Sequence, residues 1–263
     1  MASSGQTGGH APPPHDHVCL DYAGPAAFEA AAYDFLAAGR AAGEQVWLVA
    51  GWSPRDWDFE PVVVPVSDHY PEGAAIEPAA GVAAYARATE RAIAEGYTGL
   101  RVAADATPLV RTPVQLDAFA RYEIQVDRYM RDHPFTAMCG YDRARLPDGT
   151  VDQLACLHPV SGAPFRLIAA PPGRGDAALA GEVDETTRPL FLQALRRAEL
   201  RPAGGELVLD AGELGFIDHN TLLHLDAHAR ELGATAVLRT RLSAAARLAS
   251  LLELTALRVE QMA

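Results

Sequence analysis

Short apolar runs alternate along this chain with longer stretches in which apolar side chains recur every three or four positions. That is the pattern of strands alternating with amphipathic helices. In HDHVCLDY (15–22), Val18, Leu20 and Tyr22 alternate with His17, Cys19 and Asp21, which predicts a half-buried strand with His17 and Cys19 on one face. Pro25 opens a helix through Phe28, Ala32, Phe35 and Leu36, and Gly43 ends it. Further strands are expected at 45–50, 61–66, 100–104 and 135–141, and helices at 78–95, 113–130 and 151–157. The helix over 113–130 takes its apolar side from Leu116, Phe119, Tyr122, Ile124, Val126 and Tyr129.

The second half repeats the alternation. Strands are expected at 166–170 and 177–179 around a turn at 171–175, and a helix runs through Pro189, Leu192 and Leu195. A strand at 207–209 leads through an ordered loop to Asp218, a good N-cap, after which Leu222, Leu225, Ala229 and Leu232 recur at helical spacing. Strand 235–238, helix 242–254 and strand 257–259 close the chain. The fold class is therefore α/β with a mainly parallel sheet. The length suits two domains, divided at Ser161-Gly162-Ala163-Pro164, which is too short to be a flexible tether. Residues 1–14 (MASSGQTGGHAPPP) lack core-forming side chains and read as a flexible tail.

Charge narrows the partners. A net charge of −12 argues against nucleic acid. All 22 basic residues are Arg, so Schiff-base chemistry and a P-loop lysine are excluded. Residues 1–16 have no apolar leader segment, and no run approaches the about 18 apolar residues a membrane span needs. A reducing cytoplasm is the expected location, and the three cysteines, Cys19, Cys139 and Cys156, are expected to be thiols.

Two resemblances follow from motifs. GEVD (181–184) followed by LVLDAGELGFIDHNTL (207–222) resembles the STAS domain, the fold of bacterial anti-sigma factor antagonists and of sulfate-transporter tails. It implies an α/β domain over 163–263 that binds an anti-sigma factor or kinase-like regulatory protein through Asp218, His219, Asn220 and Thr221. Phosphorylated members carry Ser or Thr two positions after the Asp. Here that position is Asn220, which has no hydroxyl, and Thr221 is displaced by one. Upstream, HDHVCLDY, GEQVWLV, GLRVAADAT, RYE (121–123) and MCGYD (138–142) ahead of His158-Pro159 resemble the MEDS domain. That resemblance implies a sensory module over 15–162, related to the RecA-like fold and found in bacterial and archaeal signalling proteins.

A RecA-like fold invites ATP, but the loop after the first strand, Ala23 to Phe28, has one Gly, no Lys and no Ser or Thr, so it lacks a phosphate cradle. The more promising set is His17, Cys19, Cys139 and His158, with Tyr22, Tyr141 and Asp142 in the same motifs. If the strands bearing HxC and MCGYD are neighbours, the two cysteines meet at one end of the sheet, where α/β folds bind ligands. Three readings stay open: a metal ion or haem, a thiol or small-molecule pocket, and plain core packing. The cofactor is unknown at this level. The reading that results is a non-enzymatic signalling regulator, with a thiol- or metal-dependent enzyme and a constitutive scaffold as alternatives.

Overall fold

The computed structural model describes residues 17–66 and 73–262. The expected tail over 1–14, with His15 and Asp16, lies outside them. The first sheet is built from β1 (His17–Tyr22), β2 (Gln45–Val49), β3 (Val62–Val64), β4 (Leu100–Asp105) and β5 (Phe135–Asp142). Its order is β1-β5-β4-β2-β3, with every pairing parallel. Parallel strands need crossovers, and α1 (Pro25–Ala41), α2 (Pro78–Ala94) and α3 (Pro113–Asp132) supply them. Helix α3 starts at a capping box, in which Thr112 and Gln115 each satisfy the other's backbone N–H. A short helix, α4 (Thr150–Ala155), follows β5.

Both faces of the sheet are covered, as an all-parallel sheet requires. One face packs Tyr22, Leu48, Ala103 and Met138 under Phe28, Ala32 and Leu36 of α1. Gly140 makes this approach possible, because a Cβ there would sit 2.6 Å from the Phe28 ring. The opposite face buries Val102, Ala137, Cys139 and Tyr141 against Leu116, Phe119, Val126 and Met130 of α3.

The second sheet comprises β6 (Phe165–Ile168), β7 (Ala177–Val183), β8 (Glu206–Ala211), β9 (Leu214–Ile217), β10 (Thr235–Thr240) and β11 (Leu257–Gln261). Its order is β11-β10-β8-β7-β6, with β9 beside β7. Only β6 runs antiparallel to its neighbour. Helices α5 (Arg188–Arg197), α6 (His219–Glu231) and α7 (Ser243–Leu251) complete this unit. Strand β9 falls where the sequence suggests an ordered loop. A register shift at Gly181/Glu182 in its pairing with β7 leaves Gly215 and Phe216 both exposed, so the alternation that announces a strand is broken.

The two units share one continuous core. It runs from Phe119 and Leu154 through Phe165 and Phe191 to Leu238. Across the boundary, Leu167 N–H donates to Cys156 O at 2.8 Å and Arg128 Nη2 to Ala198 O at 3.0 Å. Arg197 Nε reaches Asp117 Oδ1 at 3.1 Å. Val160 bridges to Val18 at the outer edge of β1, accepting from Cys19 N–H at 2.9 Å and donating to His17 O at 3.2 Å. Within the second unit, Gly181, with φ +84°, lets β7 pass close to the residue before β6, since a Cβ there would lie 2.3 Å from Pro164 O. No helix among the described residues is long and apolar enough to cross a membrane.

Candidate functional site

Strand alternation decides which side chains meet. Cys19 is in register with Cys139 across β1 and β5, so His17, Cys19, Cys139 and Tyr141 share the face that α3 covers. Glu123 and Asp127, four residues apart on α3, lie on its buried side. His158 follows α4, with its ring centroid 4.0 Å from that of His17. His17, Glu123, Cys139, Tyr141 and His158 are all buried, Glu123 and His158 completely. Every polar atom here must therefore find its partner inside the protein.

Most do. His17 Nε2 lies 3.0 Å from Glu123 Oε2, and His17 Nδ1 lies 3.3 Å from Asp127 Oδ1. The Tyr141 hydroxyl donates to Glu123 Oε1. Cys139 Sγ sits 3.8 Å from His17 Nε2 and 3.7 Å from Glu123 Oε2. His158 Nδ1 contacts Leu154 O at 2.8 Å, while its Nε2 faces Glu123 Oε1 at 3.7 Å with no hydrogen-bond partner among the described residues. The second oxygen of Asp127 accepts the N–H of Ala169, just beyond β6, at 2.7 Å.

These contacts fix the charges. Burial pulls the His17 imidazole toward neutrality, but hydrogen bonds to Asp127 and Glu123 override it and raise the pKa to about 9. Burial opposes ionisation of Glu123 too, yet His158, His17 and Tyr141 hold its carboxyl down at about 2. His158 is lowered to about 4 by burial and by the neighbouring His17. Burial, reinforced by Glu123, pushes the thiols of Cys139 and Cys19 and the Tyr141 phenol upward. The thiols are accordingly protonated at neutral pH and poor nucleophiles.

Of the residues singled out in the sequence, His17, Cys139, Tyr141 and His158 converge. The meeting place is not the end of the sheet but its face, beneath α3. Cys19 is adjacent and lines a cavity of about 370 Å³, together with Asp21, Arg143, Val151, Thr187 and Leu190. This cavity lies between the two units. Tyr22 and Asp142 stand apart from the cluster. Tyr22 packs on the α1 face, donating to Asp105 Oδ1 at 2.9 Å, and Asp142 caps the turn that follows β5 by accepting from Ala144 N–H at 3.1 Å.

Glu123 and Asp127 are the members that sequence reasoning missed. In the sequence RYE stands only as a motif, and acids on an amphipathic helix read as solvent-facing. The signal available was their spacing within the apolar side of α3.

On the second unit, Asp218 caps α6, accepting Thr221 N–H at 2.6 Å, and pairs with Arg188. His219 is exposed and Asn220 half-buried. Thr221 is fully buried, so it faces the core rather than a partner. Phe216 and Leu223, 48% and 40% exposed, flank the same loop and give it an apolar surface.

A family model described as MEDS (MEthanogen/methylotroph, DcmR Sensory domain) matches residues 16–159. Those residues include every member of the buried cluster. No curated protein sequence matches the chain.

Proposed function

The chain belongs to the MEDS family of sensory domains, and from that premise we propose that it is a cytoplasmic signalling regulator without enzymatic activity. In this reading a RecA-like sensory unit receives a small-molecule or redox signal. It then alters protein binding by a STAS-like second unit. The partner is an anti-sigma factor or a kinase-like regulatory protein, and the outcome is control of transcription.

The observation that carries this reading is the cavity of about 370 Å³ lined by both units. Its walls include Cys19 from β1 and Thr187 and Leu190 from the start of α5. Arg188, between those last two, pairs with Asp218 at the head of α6. A small molecule held there would touch the sensory strand and the segment that anchors the exposed loop. A ligand shifts an equilibrium only by contacting two states differently, and a cavity shared by two packed units is where such differences arise.

The test is capture of an anti-sigma factor or histidine-kinase-type ATPase by the full chain. Asp218→Ala/Asn220→Ala is expected to lose the partner that wild type retains, and Leu190→Trp, which fills the cavity, to change the amount retained. Equal capture by wild type and the double variant overturns the docking assignment. Unchanged capture by Leu190→Trp overturns the cavity as the input.

A further inference from the structure

The geometry points to a metal site. We propose that His17 Nε2, His158 Nε2, Glu123 and Cys139 Sγ bind one divalent first-row transition ion, zinc foremost. This inference deepens the sensory reading of the same face and rests on it. Its test reads metal uptake, which does not depend on any partner.

The donor spacing is the first argument. One atom from each of the four side chains lies within 4.8 Å of every other. His17 Nε2 and Glu123 Oε2 are 3.0 Å apart, and His158 Nε2 is 3.7 Å from Glu123 Oε1. Cys139 Sγ is 3.8 Å from His17 Nε2 and 3.7 Å from Glu123 Oε2. Zinc bond lengths place the donors of a tetrahedron about 3.4 Å apart for nitrogen and oxygen, and about 3.6 Å where sulfur is one. The four side chains thus bring one donor each within reach of a single ion.

The orientation of the imidazoles is the second. Each ring has its Nδ1 engaged outside the set, His17 with the Asp127 carboxylate and His158 with the Leu154 carbonyl. Each thereby turns Nε2 inward. Metal-bound histidines are oriented in this way, by a carboxylate or carbonyl on the other nitrogen. Tyr141 fixes Glu123 similarly, by donating to Oε1.

The third argument is the unsatisfied atom. His158 Nε2 is wholly buried, without a hydrogen-bond partner among the described residues, and aimed at the other donors. A buried polar atom of that kind needs a reason, and a ligated ion supplies it. Charge agrees among the ligands: a carboxylate and a thiolate balance a divalent ion. The sulfur loses its proton to solvent as it binds. Two imidazoles, a carboxylate and a thiolate form a zinc-type donor set. Four protein donors leave no position open to substrate, which is the pattern of a structural rather than a hydrolytic ion.

The full chain, dialysed against chelator, is titrated with Zn²⁺ and separately with Co²⁺. One equivalent of either ion is expected to bind. Co²⁺ should show the charge-transfer absorption of a cobalt–thiolate bond and the intense visible bands of a tetrahedral ion. Cys139→Ser should abolish the charge-transfer band, while Cys19→Ser and Cys156→Ser keep it. Asp127→Asn, which alters the orienting group and leaves all four donors in place, should weaken Zn²⁺ by about 10- to 100-fold. Failure of wild type to bind one equivalent overturns the site. So does Co²⁺ bound without charge-transfer absorption, a reading on the wild-type chain that needs no variant to fold.

Discussion

The carboxylate of Asp127 is shared between His17 and Ala169. One oxygen lies 3.3 Å from His17 Nδ1, and the other accepts the Ala169 N–H at 2.7 Å. A single side chain on α3 thus joins the buried cluster of the first sheet to the end of β6 in the second. Any movement of the His17 ring that carries Asp127 with it changes a main-chain hydrogen bond of the other unit. That gives the two units a material connection in addition to their common core.

Removing this connector should be costly. Asp127 is 6% exposed, so Asp127→Ala leaves His17 short of a carboxylate and Ala169 N–H without an acceptor. The expected loss is about 3 kcal/mol, measured by denaturant unfolding of the full chain. Asp127→Asn keeps an acceptor for Ala169 and should lose less.

Gly140 is expected to tolerate no side chain. A Cβ there would meet Phe28 at 2.6 Å and Tyr22 at 3.2 Å, both held in a packed core. Gly140→Ala should destabilise by about 1–3 kcal/mol through overpacking. The change is visible as a lowered denaturation midpoint with an unchanged slope.

The cysteines should resist alkylation. Burial pushes the Cys139 and Cys19 thiols above their ordinary range, and Cys156 up to about 12. Under native conditions at neutral pH, iodoacetamide is expected to modify none of the three on the timescale of a free thiol. All three should react once the chain is denatured. Rapid native labelling of Cys19, which is half-buried on the cavity wall, would contradict the raised pKa of its thiol.

The cap at α6 carries an acid-side dependence. Burial works against ionisation of Asp218, but Thr221 and the Arg188 guanidinium hold its carboxyl below the usual range. A group depressed in the folded state stabilises it above the unfolded pKa, and that contribution is lost as pH falls through the folded value. The loss therefore belongs below about pH 4. Asp218→Ala should remove about 1 kcal/mol at neutral pH, and Asp218→Asn, still a good cap, less. Comparing acid unfolding of wild type and Asp218→Asn isolates the charged part.

Much of this architecture was legible in the sequence because local pattern and tertiary packing agree. Alternation in HDHVCLDY placed His17 and Cys19 on one face, and the register with Cys139 bears that out. Pro25, Pro78 and Pro113 each stand at the first position of a helix. What could not be read was non-local. Glu123 is buried because His17 and Tyr141, far away in sequence, satisfy it; its spacing on α3 puts it on the apolar side but does not name those partners. Strand β9 was hidden for a different reason, the shift at Gly181/Glu182 that breaks its alternation. Thr221 reads as part of a loop tip, yet the first turn of α6 rotates it inward.

Val160 sets a limit on how this molecule can be divided. The recognisable family sequence ends at residue 159, one short of the residue whose main chain closes the outer edge of β1. A fragment cut at that border would leave the backbone groups of His17 and Cys19 without their neighbour and lay bare the surface of α3 that Ala198 and Ala169 now cover. What is inherited as a module and what folds as a cooperative whole have different borders here, and the smallest piece that can be studied intact extends past the first.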